Sequence, residues 1–244
     1  MARRPRPKPV PIQSAAKRTA TYRRWLRWWN VLFDDLKTIA HHRYLYREIG
    51  AIIAANPAIQ EPSAFYDWIQ HAYATDQASA IRRLVDRRRD TISLRRLIEE
   101  IADHPEVLSR RRFVGLYRGH MPVEFGHRHF DRVAAPGGDK VNPRLVRQHL
   151  RDLLATNRRV QTFVNKHVAH RAKHPMRDLP SYADLDRCVD LLERLAKEYA
   201  LILRAEGTSV VPAIGYDWKK PLRVPWIVEK REGGLGPPPS APDQ

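Results

Sequence analysis

Three histidines, His167, His170 and His174, recur at i, i+3 and i+7 within Phe163-Val-Asn-Lys-His-Val-Ala-His-Arg-Ala-Lys-His174. At 3.6 residues per turn these offsets fall on one side of a helix, in line with Phe163, Val160 and His149. Imidazole changes charge near neutral pH, so such a stripe can move protons or bind a metal. The same residues can also be polar packing in the seam of a bundle or dimer, without chemistry. Two histidines of one helix can reach a metal, but a third ligand normally comes from another element. The sequence offers no such partner pattern, so no metal and no cofactor are expected. His41 and His42 are adjacent and point about 100° apart on a helix. His127 and His129 would extend to the same side of a strand.

The histidine stripe requires a long helix, and the flanking sequence supplies one. Asn142-Pro143 is a helix start, with Asn as cap and Pro in the first turn. Leu145, Val146, Leu150, Leu153, Leu154, Val160, Phe163, Val164 and Val168 then recur at helical spacing, and the helix is expected to stop before Pro175. Other helices are expected around it. The first starts near Tyr22, capped by Thr19 or Thr21. It carries Trp25, Leu26, Trp29, Leu32, Phe33, Leu36 and Ile39, continued by Leu45, Ile49, Ile52 and Ile53, and ends at Asn56-Pro57, with a bend near His41. A second runs from about Ser63 to Arg89, its apolar stripe including Phe65, Trp68 and Ile69. Arginines at its end suit the negative pole of the helix. Ser93 caps a short third helix to about Ala102. Ser181 with Asp184 reads as a capping box for a last helix, which Gly207 terminates.

Residues 104–142 lack periodicity and read as a long loop with one helical turn. After Thr208 the chain is apolar but carries Pro212, Pro221 and Pro225, which exclude a central strand. The expected fold is all-α: an antiparallel bundle of four to five helices with an extended C-terminal wrap. The expected organisation is a disordered basic arm (1–18), a helical domain (19–228) and a disordered Pro/Gly-rich tail (229–244).

The chain carries 44 Lys and Arg against 27 Asp and Glu, a formal charge of +17. Six of these positive charges lie in the first 18 residues, which contain no acid. The rest of the chain is still at +11, a balance that favours an anionic partner such as nucleic acid. The single cysteine, Cys188, cannot form an intrachain disulfide and sits among leucines as a core residue would. No run approaches the ~20 apolar residues of a membrane span, and the basic start lacks the apolar segment of a signal peptide. A cytoplasmic protein is expected, with no membrane partner.

Asn165-Lys-His-Val-Ala-His170-Arg resembles the end of the signature of the HEPN superfamily, closest to its abortive-infection AbiU-type branch. There the phrase reads Arg-Asn-Lys-x-x-Ala-His, late in a helical bundle. Ala80–Leu94 and Asp217–Trp226 show looser similarity, and with helix order the resemblance covers roughly residues 22–228. The resemblance implies metal-independent RNA cleavage at a dimer interface. There an Arg and a His separated by four to six residues, one such pair from each protomer, meet; the Arg stabilises the developing phosphorane charge while the His transfers a proton. Here that Arg is replaced by Val164. The only Arg–His pair at that spacing, Arg144 with His149, carries no weight in so Arg-rich a chain.

The reading that joins these observations is an AbiU-type HEPN-like protein of a bacterial phage-defence or toxin–antitoxin system. It would be RNA-associated, with a degenerate ribonuclease site. By resemblance, His170 is the proton-transfer residue and Asn165 its hydrogen-bonding neighbour. Lys166, Arg171, Arg159, Arg110, Arg111 and Arg112 are the candidate nucleic-acid contacts. A homodimer, RNA and an antitoxin are the expected partners. Two other readings stand beside it: a non-catalytic nucleic-acid-binding module, in which the basic arm and the Arg82–Arg89 and Arg110–Arg112 clusters matter most, and a structural or partner-binding helical protein whose charge only maintains solubility.

Overall fold

The computed structural model describes residues 13–119, 121–135, 137–168, 179–210 and 214–226. His170, Arg171 and His174, most of the basic arm and the expected tail lie outside these residues. Seven α-helices are present among the described residues: α1 (Ala15–Ala55), α2 (Ala64–Leu84), α3 (Leu94–Asp103), α4 (Arg110–Gly115), α5 (Val123–Asp131), α6 (Pro143–Phe163) and α7 (Tyr182–Arg204). Among the described residues extended pairing is limited to two isolated bridges, Ser109 with Lys140 and Ala134 with Val141. The protein is all-α. The chain divides into two units, residues 1–212 and 213–244.

Local chemistry sets most helix starts. Ser14, rather than Thr19 or Thr21, caps α1, its side chain accepting from the backbone N–H of Lys17. The helix therefore begins inside the stretch assigned to the arm. Thr21 is instead a buried residue whose hydroxyl donates to Gln13. Ser93 caps α3, Asn142 caps α6 with Pro143 in its first turn, and Ser181 and Asp184 form a full capping box on α7.

The four long helices make an antiparallel bundle, as their contacts show. Along α1 and α2, Gln77 donates to the carbonyl of Ile39, His42 pairs with Asp76, and Tyr46 stacks on Tyr73 at 3.9 Å. Along α1 and α7, the Tyr22 hydroxyl donates to the carbonyl of Leu203 while Arg43 reaches Asp190 and Glu193. Along α6 and α7, His149 meets Tyr199 and Arg159 meets Asp184. In each pair residue numbers rise along one helix as they fall along the other. α3 crosses against α6 and α1, where Glu100 accepts from the Trp25 indole at 2.8 Å and from Arg24 at 2.5 Å.

The α1 stripe packs as its spacing predicts: Trp25, Trp29, Leu32, Leu36 and Ile39 are buried. Removing a buried side chain of this size from water is worth about 1.5–3 kcal/mol. The α2 stripe behaves differently. Phe65 and Trp68 are exposed, and burial on α2 begins only at Gln77. On α1 it ends at Arg43, so residues 44–76 contain no buried side chain. α1 is one uninterrupted helix of 41 residues without a break at His41. Cys188 is buried in the core, where desolvation pushes its thiol up to about 12. It is an apolar filler and not a nucleophile.

The expected long loop of residues 104–142 contains two short helices, α4 and α5. They approach each other across Gly126, where a Cβ would lie 3.1 Å from the Tyr117 ring and 3.3 Å from the Val114 Cα. His127 and His129 lie on α5, so the expectation of a strand is corrected. His129 Nδ1 is 2.7 Å from the Tyr117 hydroxyl.

α7 ends at Arg204 because Ala205 adopts φ 57°, ψ 29°, the left-handed conformation that usually selects glycine. Gly207, the expected terminator, comes after the turn. No helix among the described residues is long and apolar enough to cross a membrane.

In the second unit, residues 214–226 form turns around a 3-10 helix, Lys220–Arg223. Asp217 caps the N–H of Lys219 and pairs with Arg223, and the Trp226 indole donates to the Pro221 carbonyl at 2.7 Å.

Candidate nucleic-acid interface

α6 carries the signature asparagine, but not on a regular helix. At Val164 the i→i+4 ladder gives way to a π turn, Val164–Val168. Such turns hold one surplus residue and are frequent at functional sites. Two buried valines, Val160 and Val164, hold this turn to the core. Phe163, between them, packs partly against the core, while the residues after Val164 turn toward the surface. Asn165 and Lys166 are exposed, and His167 is half-buried with its ring stacked on Phe163 at 5.8 Å. The position where the resemblance calls for arginine is therefore a core position: Val164 is 4% exposed. An arginine there would have to bring its charge into the core or rotate the turn.

An arginine reaches Asn165 from another helix. Arg82, in the last turn of α2, donates from Nε to Asn165 Oδ1 at 2.9 Å. Its Nη1 donates to Asp86 Oδ2 at 3.3 Å. Asp86 also accepts from the backbone N–H of Arg88 at 3.0 Å and from Arg88 Nε at 3.2 Å. This bonding explains why α2 ends at Leu84 and not at Arg89. The Asp86 carboxylate folds the chain back on itself, and the Ser93 hydroxyl ties the Asp86 carbonyl at 2.7 Å. The Asp86 side chain is only 8% exposed. Burial alone would raise its pKa, yet the Arg88 N–H and the Arg82 and Arg88 guanidiniums more than offset this and hold it below the usual carboxylate range.

The other predicted contacts are dispersed. Arg159 bonds Asp184 and the Leu179 carbonyl, where it secures the start of α7. Arg110 braces α4 against α5: it bonds the Gly138 carbonyl and Asp131 and lies 4.9 Å over the Phe130 ring. Arg112 lies 4.5 Å over Tyr22 and reaches Thr19 on α1. Of this triplet only Arg111 is exposed. Lys166 is brought beside Asn165 by the turn itself. Arg144 and His149 are separated in role as well as direction, with Arg144 exposed and His149 buried against Tyr199. Burial holds the His149 imidazole below its ordinary pKa.

Sequence reading missed Arg82, Asp86 and Arg88 as a group. One signal was available: Asp86 stands four residues after Arg82, the spacing of a helical ion pair, inside a run of five arginines.

What the assembly can do follows from its chemistry. It presents planar cations and carboxamide and ammonium donors at a surface turn, which suits phosphate oxygens. No curated protein and no solved structure matches the chain. A family profile described as AbiU2 (HEPN_AbiU2) matches residues 24–220 of the 244. That span takes in all the helices after the start of α1, the π turn with Asn165, and the first turns of the second unit, and the chain belongs to the AbiU2 family of HEPN-type proteins.

Proposed function

We propose that this protein is an RNA-associated HEPN-like protein of a bacterial phage-defence or toxin–antitoxin system, with weak or absent ribonuclease activity of its own. The observation that carries this reading is the exposure of the signature residues Asn165 and Lys166 on a π turn, beside an arginine-rich segment, while Val164 fills the arginine position from within the core. His170 is the residue for proton transfer to or from the RNA 2′-hydroxyl, and Asn165 a group that hydrogen-bonds a phosphate or its partner. The assembly is a homodimer packed partly through α6, and an antitoxin is the expected further partner. The basic N-terminal arm adds affinity for the phosphate backbone without sequence preference.

The test is incubation of the purified protein with structured RNAs in the presence of a chelator. Retention of RNA with little cleavage, and loss of retention as salt rises, is the expected result. Robust cleavage that disappears in His170→Ala would overturn the inactive reading, and affinity indifferent to salt would overturn the RNA reading.

A further inference from the structure

From the last turn of α2 to the start of α3 the chain places five arginines, Arg82, Arg83, Arg87, Arg88 and Arg89, against two aspartates, Asp86 and Asp90. A charge run of this kind is usually a solvated face. Here two of its members are not loose. A single buried carboxylate, Asp86, holds both Arg82 and Arg88, and Arg82 is tied in addition to the signature asparagine 83 residues along the chain. Arg82 is 31% exposed and Arg88 64% exposed, so both guanidiniums still reach solvent.

The geometry points to a phosphodiester clamp built on Asp86, in which Arg82 and Arg88 grip a backbone phosphate of the RNA beside Asn165 and Lys166. The clamp rests on the reading above that this face meets RNA, and it deepens that reading by assigning the cationic half of the site. The arginine absent from α6 at Val164 is replaced in space by one from α2 of the same chain.

Several features favour this assignment over an accidental pair. The two bonds of Arg82 use two of the five N–H groups of a guanidinium, leaving donors for an anionic oxygen. The bond from Arg82 occupies the carbonyl oxygen of Asn165, so the group Asn165 offers a phosphate is its NH2. Asp86 is held ionised, because its folded environment favours the carboxylate form. An ionised anchor fixes the guanidinium planes before the RNA arrives, which lowers the ordering cost of binding. Without Asp86, two like charges would face each other across the turn.

The experiment measures binding of a fluorescein-labelled single-stranded RNA, and of the DNA of the same sequence, to the full chain over 50–300 mM salt. The variants are Arg82→Ala, Arg82→Lys, Arg88→Ala and, as a control, Arg144→Ala. Arg144 lies at the far end of α6, about 30 Å from Asn165 along the axis. Arg82→Ala is expected to weaken RNA binding about tenfold and to reduce the salt slope by roughly 0.7, the value for one lost contact to a single strand. Arg82→Lys is expected to restore part of the slope but not the affinity, because an ammonium cannot bond Asn165, Asp86 and a phosphate in one plane. Arg88→Ala, at a more exposed position, gives a smaller loss in the same direction, and Arg144→Ala gives none.

RNA binding by Arg82→Ala and Arg88→Ala with wild-type affinity and slope overturns the clamp and leaves the RNA reading standing. Binding of DNA alone, lost in Arg82→Ala, upholds the clamp and overturns the RNA reading. Retention of the wild-type helical circular dichroism by each variant shows that a loss comes from the site and not from unfolding. If Arg82→Ala fails this check, Arg88→Ala decides the matter.

Discussion

Replacing Asp86 by Asn separates the charge of the anchor from its shape. Asn keeps one oxygen, which can still accept from the backbone N–H of Arg88. At the other position an NH2 replaces the oxygen that receives Arg82 Nη1 and Arg88 Nε. Donor then faces donor in a site whose side chain is 8% exposed. The pair with Arg88 counts for little, about 0–1 kcal/mol, because that guanidinium is largely solvated. The bond from the less exposed Arg82 is worth about 1 kcal/mol, and the buried donor without an acceptor costs about 1–2 kcal/mol more. The expected destabilisation at neutral pH is therefore about 2–4 kcal/mol, or roughly 5–15 °C in Tm for a chain of this size.

The same substitution has a pH signature. The Asp86 pKa is depressed in the folded protein, whereas an unfolded Asp titrates near about 3.9. Its contribution is complete above that value and is lost as pH falls through the lower folded pKa. Urea denaturation should thus show the full gap between wild type and Asp86→Asn at pH 7, and a closing gap below about pH 4. A gap under about 0.5 kcal/mol, or one of equal size at both pH values, refutes the assignment of Asp86 as an ionised anchor.

Two further outcomes test the scaffold. Arg43 is 9% exposed and bonds Asp190 and Glu193, each at 2.5 Å; Arg43→Met keeps the packing of its stem and should cost about 2 kcal/mol, with most of the loss from the less exposed Glu193. Guanidinium titration at low and moderate salt measures it, and an unchanged midpoint counts against the cross-link of α1 to α7. His149 is held below its ordinary pKa by burial, so the unfolded chain binds a proton that the folded chain resists. Stability should then fall as pH drops below about 6.5, and His149→Gln should flatten that part of the profile; a parallel profile for the variant would show that His149 contributes nothing to it.

The starts of α2, α3, α6 and α7 were legible because their causes are local. Ser93, Asn142-Pro143 and Ser181 with Asp184 each satisfy backbone N–H groups within three residues. The buried stripe of α1 was legible for the same reason, as period and side-chain type agree. What failed to show rests on contacts and backbone conformations that period and cap residues do not encode. The end of α2 is set by Asp86 as it bonds Arg88 and Arg82, and a helix-favouring run of residues gives no hint of it. α4 and α5 span six and nine residues, too few for a period to register, and they stand because Arg110 and Gly126 hold them together. Ala205 takes the left-handed position that glycine chemistry would assign to Gly207. At the site, Asn165 and Lys166 could be named from the signature. The surplus residue of the π turn is invisible in a count based on 3.6, and the contact with Arg82 bridges 83 residues.

α1 has a consequence for motion. By hydrogen bonding it is one rod of 41 residues, about 60 Å long. By energy it is two segments. From Thr21 to Arg43 its amides are locked under Trp25, Trp29 and Leu36, and opening them means dismantling the core. From residue 44 onward it leans on the equally unburied first half of α2 and, through Tyr46 on Tyr182 and Arg47 on Asp186, on the first turns of α7. Amide exchange should follow that division: slow through the global unfolding route up to Arg43, then far faster by local opening across residues 44–76. The tip of this hairpin, with Phe65 and Trp68 at the surface, is the part of the bundle that can fray and re-form without the rest of the protein taking part.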